Sequence, residues 1–88
     1  METWKPIDVR DCESFADLLK RAEKLNRVTN GRLHKATGIP IANLREYKTG
    51  IRMVGVDNAR KIAAVLRLPE DDVLWLLDKD DKTYRSPR

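Results

Sequence analysis

Residues 29–50, TNGRLHKATGIPIANLREYKTG, read as two short helices joined by a tight turn. Either Thr29 or Asn30 can cap the first helix, because a short polar side chain accepts from the amides left open at a helix start. That helix runs through Ala36 or Thr37, and Gly38 stops it in the left-handed conformation. Pro40 holds Ile39 extended. The fixed φ of Pro40 suits the first turn of the second helix, which continues to about Lys48 before Gly50 ends it. Leu33, Ile39, Leu44 and Tyr47 are the apolar positions that close the angle between two helices crossing at about 90–120°. Gly38 permits the sharp turn between them.

The flanking sequence repeats the helical pattern. Upstream, Ser14 and Asp17 resemble a capping box. Phe15, Leu18, Leu19, Ala22 and Leu25 then fall on one face of a helix over about 15–27, with Lys20, Arg21, Glu23 and Lys24 opposite. Downstream, Ile51 to Gly55 form a connector. A fourth helix over 56–67 presents Val56, Ala59, Ile62, Ala63 and Leu66 on one face. Pro69 opens a fifth, whose first-turn Glu70, Asp71 and Asp72 complement the positive end of its dipole. The expected fold is an all-α, compact five-helix bundle over residues 14–77. Residues 1–13, where Trp4, Ile7 and Val9 mix with charges, form an arm that can pack on it, and 78–88 a flexible charged tail.

At 88 residues the chain supports one domain with a small core. No apolar run reaches the roughly 18–20 residues that span a bilayer, and the first residues lack the apolar stretch of a signal peptide. A single cysteine, Cys12, excludes an internal disulfide, and a single histidine, His34, leaves too few ligands for zinc. These features point to a reducing cytoplasm and to no metal or cofactor. Without a nucleophile–histidine–acid set or a glycine-rich phosphate loop, an enzyme with a small-molecule substrate is not expected. The net charge of +4 is unevenly spread. Residues 29–68 carry eight basic and two acidic side chains; residues 1–28 balance at six each, and 69–88 carry four basic against six acidic. The surplus over the two central helices suits a polyanionic partner.

Taken with its flanking helices, the Thr29–Gly50 stretch resembles the helix-turn-helix of Cro/CI-type (XRE-like) regulators from bacteria and phages. The resemblance covers about residues 14–77. It implies a DNA-binding transcriptional regulator, usually a dimer on a two-fold-related operator, with helix 3 in the major groove and helix 2 across the backbone. By that resemblance Pro40, Ile41, Ala42, Arg45 and Glu46 face the groove. Arg45 is the leading base reader, since its fork fits guanine O6 and N7, while Ile41 and Ala42 can meet thymine methyls. Asn30 approaches a phosphate or assists base reading, Asn43 can contact either, and the first amides of helix 2 can bind another phosphate. Lys48, Thr49 and Arg52 lie beside the backbone as phosphate contacts. Three features depart from the family pattern: His34 replaces a small residue after the helix-2 leucine, Lys48 replaces a glutamate that usually pairs with helix 1, and Ile41 and Ala42 occupy recognition positions that are often polar.

Each assignment has a plainer alternative. Arg45, Glu46, Lys48 and Arg52 can be solvated surface, Ile41 can be core beside Pro40, and His34 a partly buried packing residue. Val73, Leu74, Trp75, Leu76 and Leu77 cover every side of one helix, so some are expected at a homodimer interface. The alternative is that the arm, with Trp4 and Ile7, covers them. A different function on the same fold is a protein-interaction module, such as an antirepressor or an antitoxin subunit.

Overall fold

The structure is a computed structural model that describes the backbone of residues 3–85 and the side chains of residues 3–80. The first two residues of the expected arm and the last three of the expected tail lie outside the described residues. Five α-helices follow a short 3-10 turn at Val9–Asp11: α1 Phe15–Asn26, α2 Asn30–Thr37, α3 Ile41–Thr49, α4 Val56–Val65 and α5 Glu70–Arg85. There is no strand among the described residues. The radius of gyration, 12.4 Å, is close to the roughly 12 Å of a compact chain this long.

The helix ends follow local chemistry. Ser14 accepts from the Asp17 amide at the start of α1, and Asp17 returns a bond from the Glu13 amide, so the box closes one residue wider than its usual form. Thr29, rather than Asn30, caps α2 by accepting from the Arg32 amide. Gly38 and Gly50 end α2 and α3 at φ 78° and 81°. Two further left-handed positions are arginines, Arg27 after α1 and Arg67 after α4, at φ 56° and 57°. Left-handed backbone costs a side-chain-bearing residue about 1–2 kcal/mol. The Arg67 amide bonds to Ala64 and the Leu68 amide to Ala63, closing a Schellman motif that ends α4 two residues earlier than the periodicity predicts.

The core is built from the expected face of α1 with Leu33, Ile39, Leu44, Tyr47, Ala59, Ile62, Ala63 and Leu66. Leu25 and Val56 stay exposed, at the ends of their stripes. The arm belongs to this core, for Ile7, Val9 and Cys12 are buried in it. Asn26, the one buried polar residue among those described, clamps the arm: its Oδ1 accepts from the Lys5 amide at 2.7 Å and its Nδ2 donates to the Lys5 carbonyl at 2.9 Å.

The segment expected as a flexible tail continues α5 to Arg85. It contains no glycine or proline before Pro87, and it is tied to the start of the chain. Asp80 accepts from the Phe15 amide at 3.0 Å, and Lys79 donates to the Cys12 carbonyl at 3.2 Å. The apolar run of α5 divides by helical spacing. Val73, Leu76 and Leu77 are buried in the chain's own core, and Leu74 and Trp75 pack half-buried against it. The arm covers Trp75, whose ring lies 4.4 Å beneath the Arg10 guanidinium and 5.5 Å from the Lys79 ammonium. Of the five residues expected to meet a second copy, three are therefore spent within the monomer.

Candidate nucleic-acid interface

Helices α2 and α3 meet across Gly38–Pro40 with their four apolar wedges, Leu33, Ile39, Leu44 and Tyr47, all buried. Side chains brace the turn. Thr37 donates from Oγ1 to the Leu33 carbonyl at 2.6 Å, and the same oxygen accepts from the Ile39 amide at 3.2 Å. His34 lies 2.8 Å from the Ile39 carbonyl through Nδ1, which must be protonated to donate there. His34 is exposed. The departure from a small residue is accommodated by turning the ring outward onto the loop, not by packing it as expected. Tyr47 extends the brace to α4, its hydroxyl accepting from Asn58 Nδ2 at 3.0 Å.

That frame leaves the outer face of α3 open. Pro40, Ile41, Ala42 and Arg45 are exposed, Ile41 at 37%, and Asn43 and Glu46 are half-buried. Arg45 makes no hydrogen bond or ion pair among the described residues. Pro40 offers no side-chain acceptor to α3, so the first-turn amides of the helix end at this same face. Asn30 sits at the start of α2 with its Oδ1 buried and accepting no hydrogen bond.

The expected phosphate contacts behave differently from one another. Thr49 is exposed, and its hydroxyl is turned back onto the Glu46 carbonyl at 3.2 Å. Arg52 pairs with Glu46 across 2.8 Å, joining an expected backbone contact to an expected groove residue. Both side chains are more than a third exposed, so this tie is worth roughly 0–1 kcal/mol and is readily exchanged. Lys48 is only 17% exposed and pairs with Glu23 on α1. The link between helices 1 and 3 that the resemblance implies through a glutamate is thus made with the lysine on α3. Lys48 is drawn inward, and of the proposed phosphate contacts it is the one most occupied within the chain.

No cluster of His, Cys, Asp and Glu among the described residues is arranged to hold a metal ion. No helix among them is long and apolar enough to cross a membrane. Burial pushes the Cys12 thiol above its ordinary value, with Asp17, Asp11 and Asp8 adding to the rise and Arg21 opposing it. The hydrogen bond to Asp11 raises the Arg21 guanidinium. Compared with protein-family models, curated proteins and solved structures, the chain matches none.

Proposed function

We propose that the chain is a Cro/CI-type helix-turn-helix regulator that binds double-stranded DNA sequence-specifically and acts as a repressor, with α3 in the major groove. One observation carries the reading: a braced α2–turn–α3 unit whose wedges are buried while Ile41, Ala42 and Arg45 point outward. A helix reads base edges only if its angle is fixed and its outer side chains are free of the core. The excess of basic residues over 29–68 supplies the accompanying attraction to phosphates. Arg45 is the base reader and Arg52 the main backbone contact, released from Glu46 on binding.

The reading includes a homodimer on a two-fold site. Through α5, such a dimer has Leu74 and the uncovered part of Trp75 to use. Selection from random duplexes at two salt concentrations tests the proposal. The expected result is an enriched palindrome with half-sites about 34 Å apart, bound more weakly as salt rises. Binding that ignores sequence, or none at all, overturns it.

A second reading, a protein-interaction module such as an antirepressor or antitoxin subunit, draws on exposed apolar side chains beside the same face. Ile51 is 73% exposed in the α3–α4 connector, with Ile41 and Val56 also open. Stoichiometric co-purification with a protein, and no retardation of any duplex, would favour that reading.

A further inference from the structure

Resting on the DNA-binding reading above, we propose that Glu46 is a specificity gate: its carboxylate keeps Arg52 from the phosphates until a cytosine offers its amino group to α3 and releases the arginine. Between Thr29 and Val56 the chain carries five basic side chains, and Glu46 alone is acidic. It follows Arg45 on α3 and is half-buried. On a face that meets DNA, one carboxylate opposes the attraction that its basic neighbours supply. Its Oε1 accepts from Arg52 Nε at 2.8 Å, so each side chain offsets the charge of the other.

The carboxylate is not what shapes the connector. The main-chain carbonyl of Glu46 accepts from the Ile51 amide at 3.0 Å, the Arg52 amide at 3.3 Å and the Thr49 hydroxyl at 3.2 Å. Gly50, at φ 81°, turns the chain so that these donors gather on one carbonyl. The backbone therefore brings Arg52 back to Glu46, and the side chains meet because the turn places them together.

Docking of α3 forces a choice on this pair. If Arg52 stays with Glu46, the DNA strand beside the connector gains no contact from it. If Arg52 turns to a phosphate, Glu46 is left as an unpaired carboxylate shielded from water, which costs more than an exposed pair contributes. Guanine O6 and N7 and thymine O4 are acceptors and repel that carboxylate. Adenine sets an N7 acceptor beside its N6 donor, whereas cytosine presents its N4 donor alone, the match for a glutamate. Opposite cytosine both side chains are satisfied at once. Arg45 rewards the right base pair; Glu46 withholds a phosphate contact from the wrong one.

The test compares the full wild-type chain with Glu46→Gln by selection from random duplexes and by anisotropy titration at several salt concentrations. The wild type should enrich one cytosine in each half-site that Glu46→Gln no longer requires, since glutamine pairs with adenine instead. On an unrelated duplex near about 0.1 M salt, Glu46→Gln should bind at least about tenfold more tightly, with a salt slope steeper by about 0.9 per half-site, because Arg52 gains a phosphate. Adding Arg52→Ala should reverse that gain. Unchanged base preference and unchanged non-specific affinity in Glu46→Gln, with a palindrome still selected, overturn the gate and leave the DNA reading standing. A melting temperature lowered by more than about 4 °C in Glu46→Gln makes the carboxylate a structural tie and also overturns it. No binding of any duplex by the wild type overturns both.

Discussion

Gly38→Ala separates backbone strain from packing in the turn that sets the angle of α3. Gly38 has φ 78° and ψ 1°, and a Cβ built on it meets nothing within 4 Å. The cost of alanine is then the left-handed conformation alone, about 1–2 kcal/mol. Part of this is offset because alanine has less freedom than glycine to lose on folding, by roughly 0.5–1 kcal/mol. The net destabilisation is about 1 kcal/mol, which in a domain this size lowers the melting temperature by about 4–8 °C. Urea denaturation should show a lower midpoint and an unchanged slope, since the folded structure still closes. Gly38→Ser should match alanine, as the open space admits a hydroxyl, and Gly38→Asn should cost less because asparagine tolerates this backbone. A loss above about 3 kcal/mol would mean that the turn is packed after all, and no loss at all would mean that Gly38 is not held left-handed. Either outcome refutes the reasoning.

Arg45→Ala should leave the melting temperature unchanged while costing about 1–3 kcal/mol in operator binding and relaxing specificity at one base pair. Lys48→Ala should do the reverse, lowering stability by up to about 1 kcal/mol through loss of the Glu23 pair and changing the salt slope of binding little, as read by melting and by titration at several ionic strengths. Asp80→Ala should destabilise by about 1 kcal/mol in urea titration by leaving the Phe15 amide at the start of α1 without its acceptor, although it lies 65 residues from Phe15. The raised thiol of Cys12 gives a signed pH effect. Below its ordinary value of 9.0 the thiol is neutral in both states; above it the unfolded chain ionises first, so stability falls until the folded thiol also ionises. That fall should shrink in Cys12→Ala, measured by urea midpoints between pH 8 and 10, and a native thiol reagent assay should show Cys12 reacting only as the chain opens.

The sequence was most legible where a residue's own conformational preference matched its role. Ser14, Thr29, Gly38, Pro40 and Gly50 punctuate the chain, and α1, α2 and α3 fall within a residue or two of their expected bounds. Arg67 shows the limit. Nothing about arginine announces a left-handed residue, so the periodic reading ran α4 past its true end. The α5 tail was hidden for another reason: its partners, the Phe15 amide and the Cys12 carbonyl, lie far away in sequence. Five consecutive apolar residues in α5 overfill one helical face, and only the arm's position shows that Arg10 roofs Trp75. For the candidate interface, the resemblance put Ile41, Ala42 and Arg45 on the outer face, and all three are exposed. It did not show that Glu46 holds Arg52, that Glu23 draws Lys48 inward, or that His34 braces the turn, because these depend on where flexible side chains end.

The bonds from Arg10, Cys12 and Phe15 to Asp72, Lys79 and Asp80 span 62 to 67 residues. A chain grows from its N-terminus at about 5–20 residues per second, so the first helix emerges several seconds before the aspartate that completes its start. Until then the Phe15 amide has no acceptor, the arm has no Trp75 to roof, and Val9 and Cys12 lack the helix that buries them. Early contacts among α1 to α4 can gather, but the fold closes only when the later segment returns to the beginning. A nascent or prematurely terminated chain is thus an unsealed one, exposed to proteases and to other chains, and the clasp between its ends makes completeness a condition of stability.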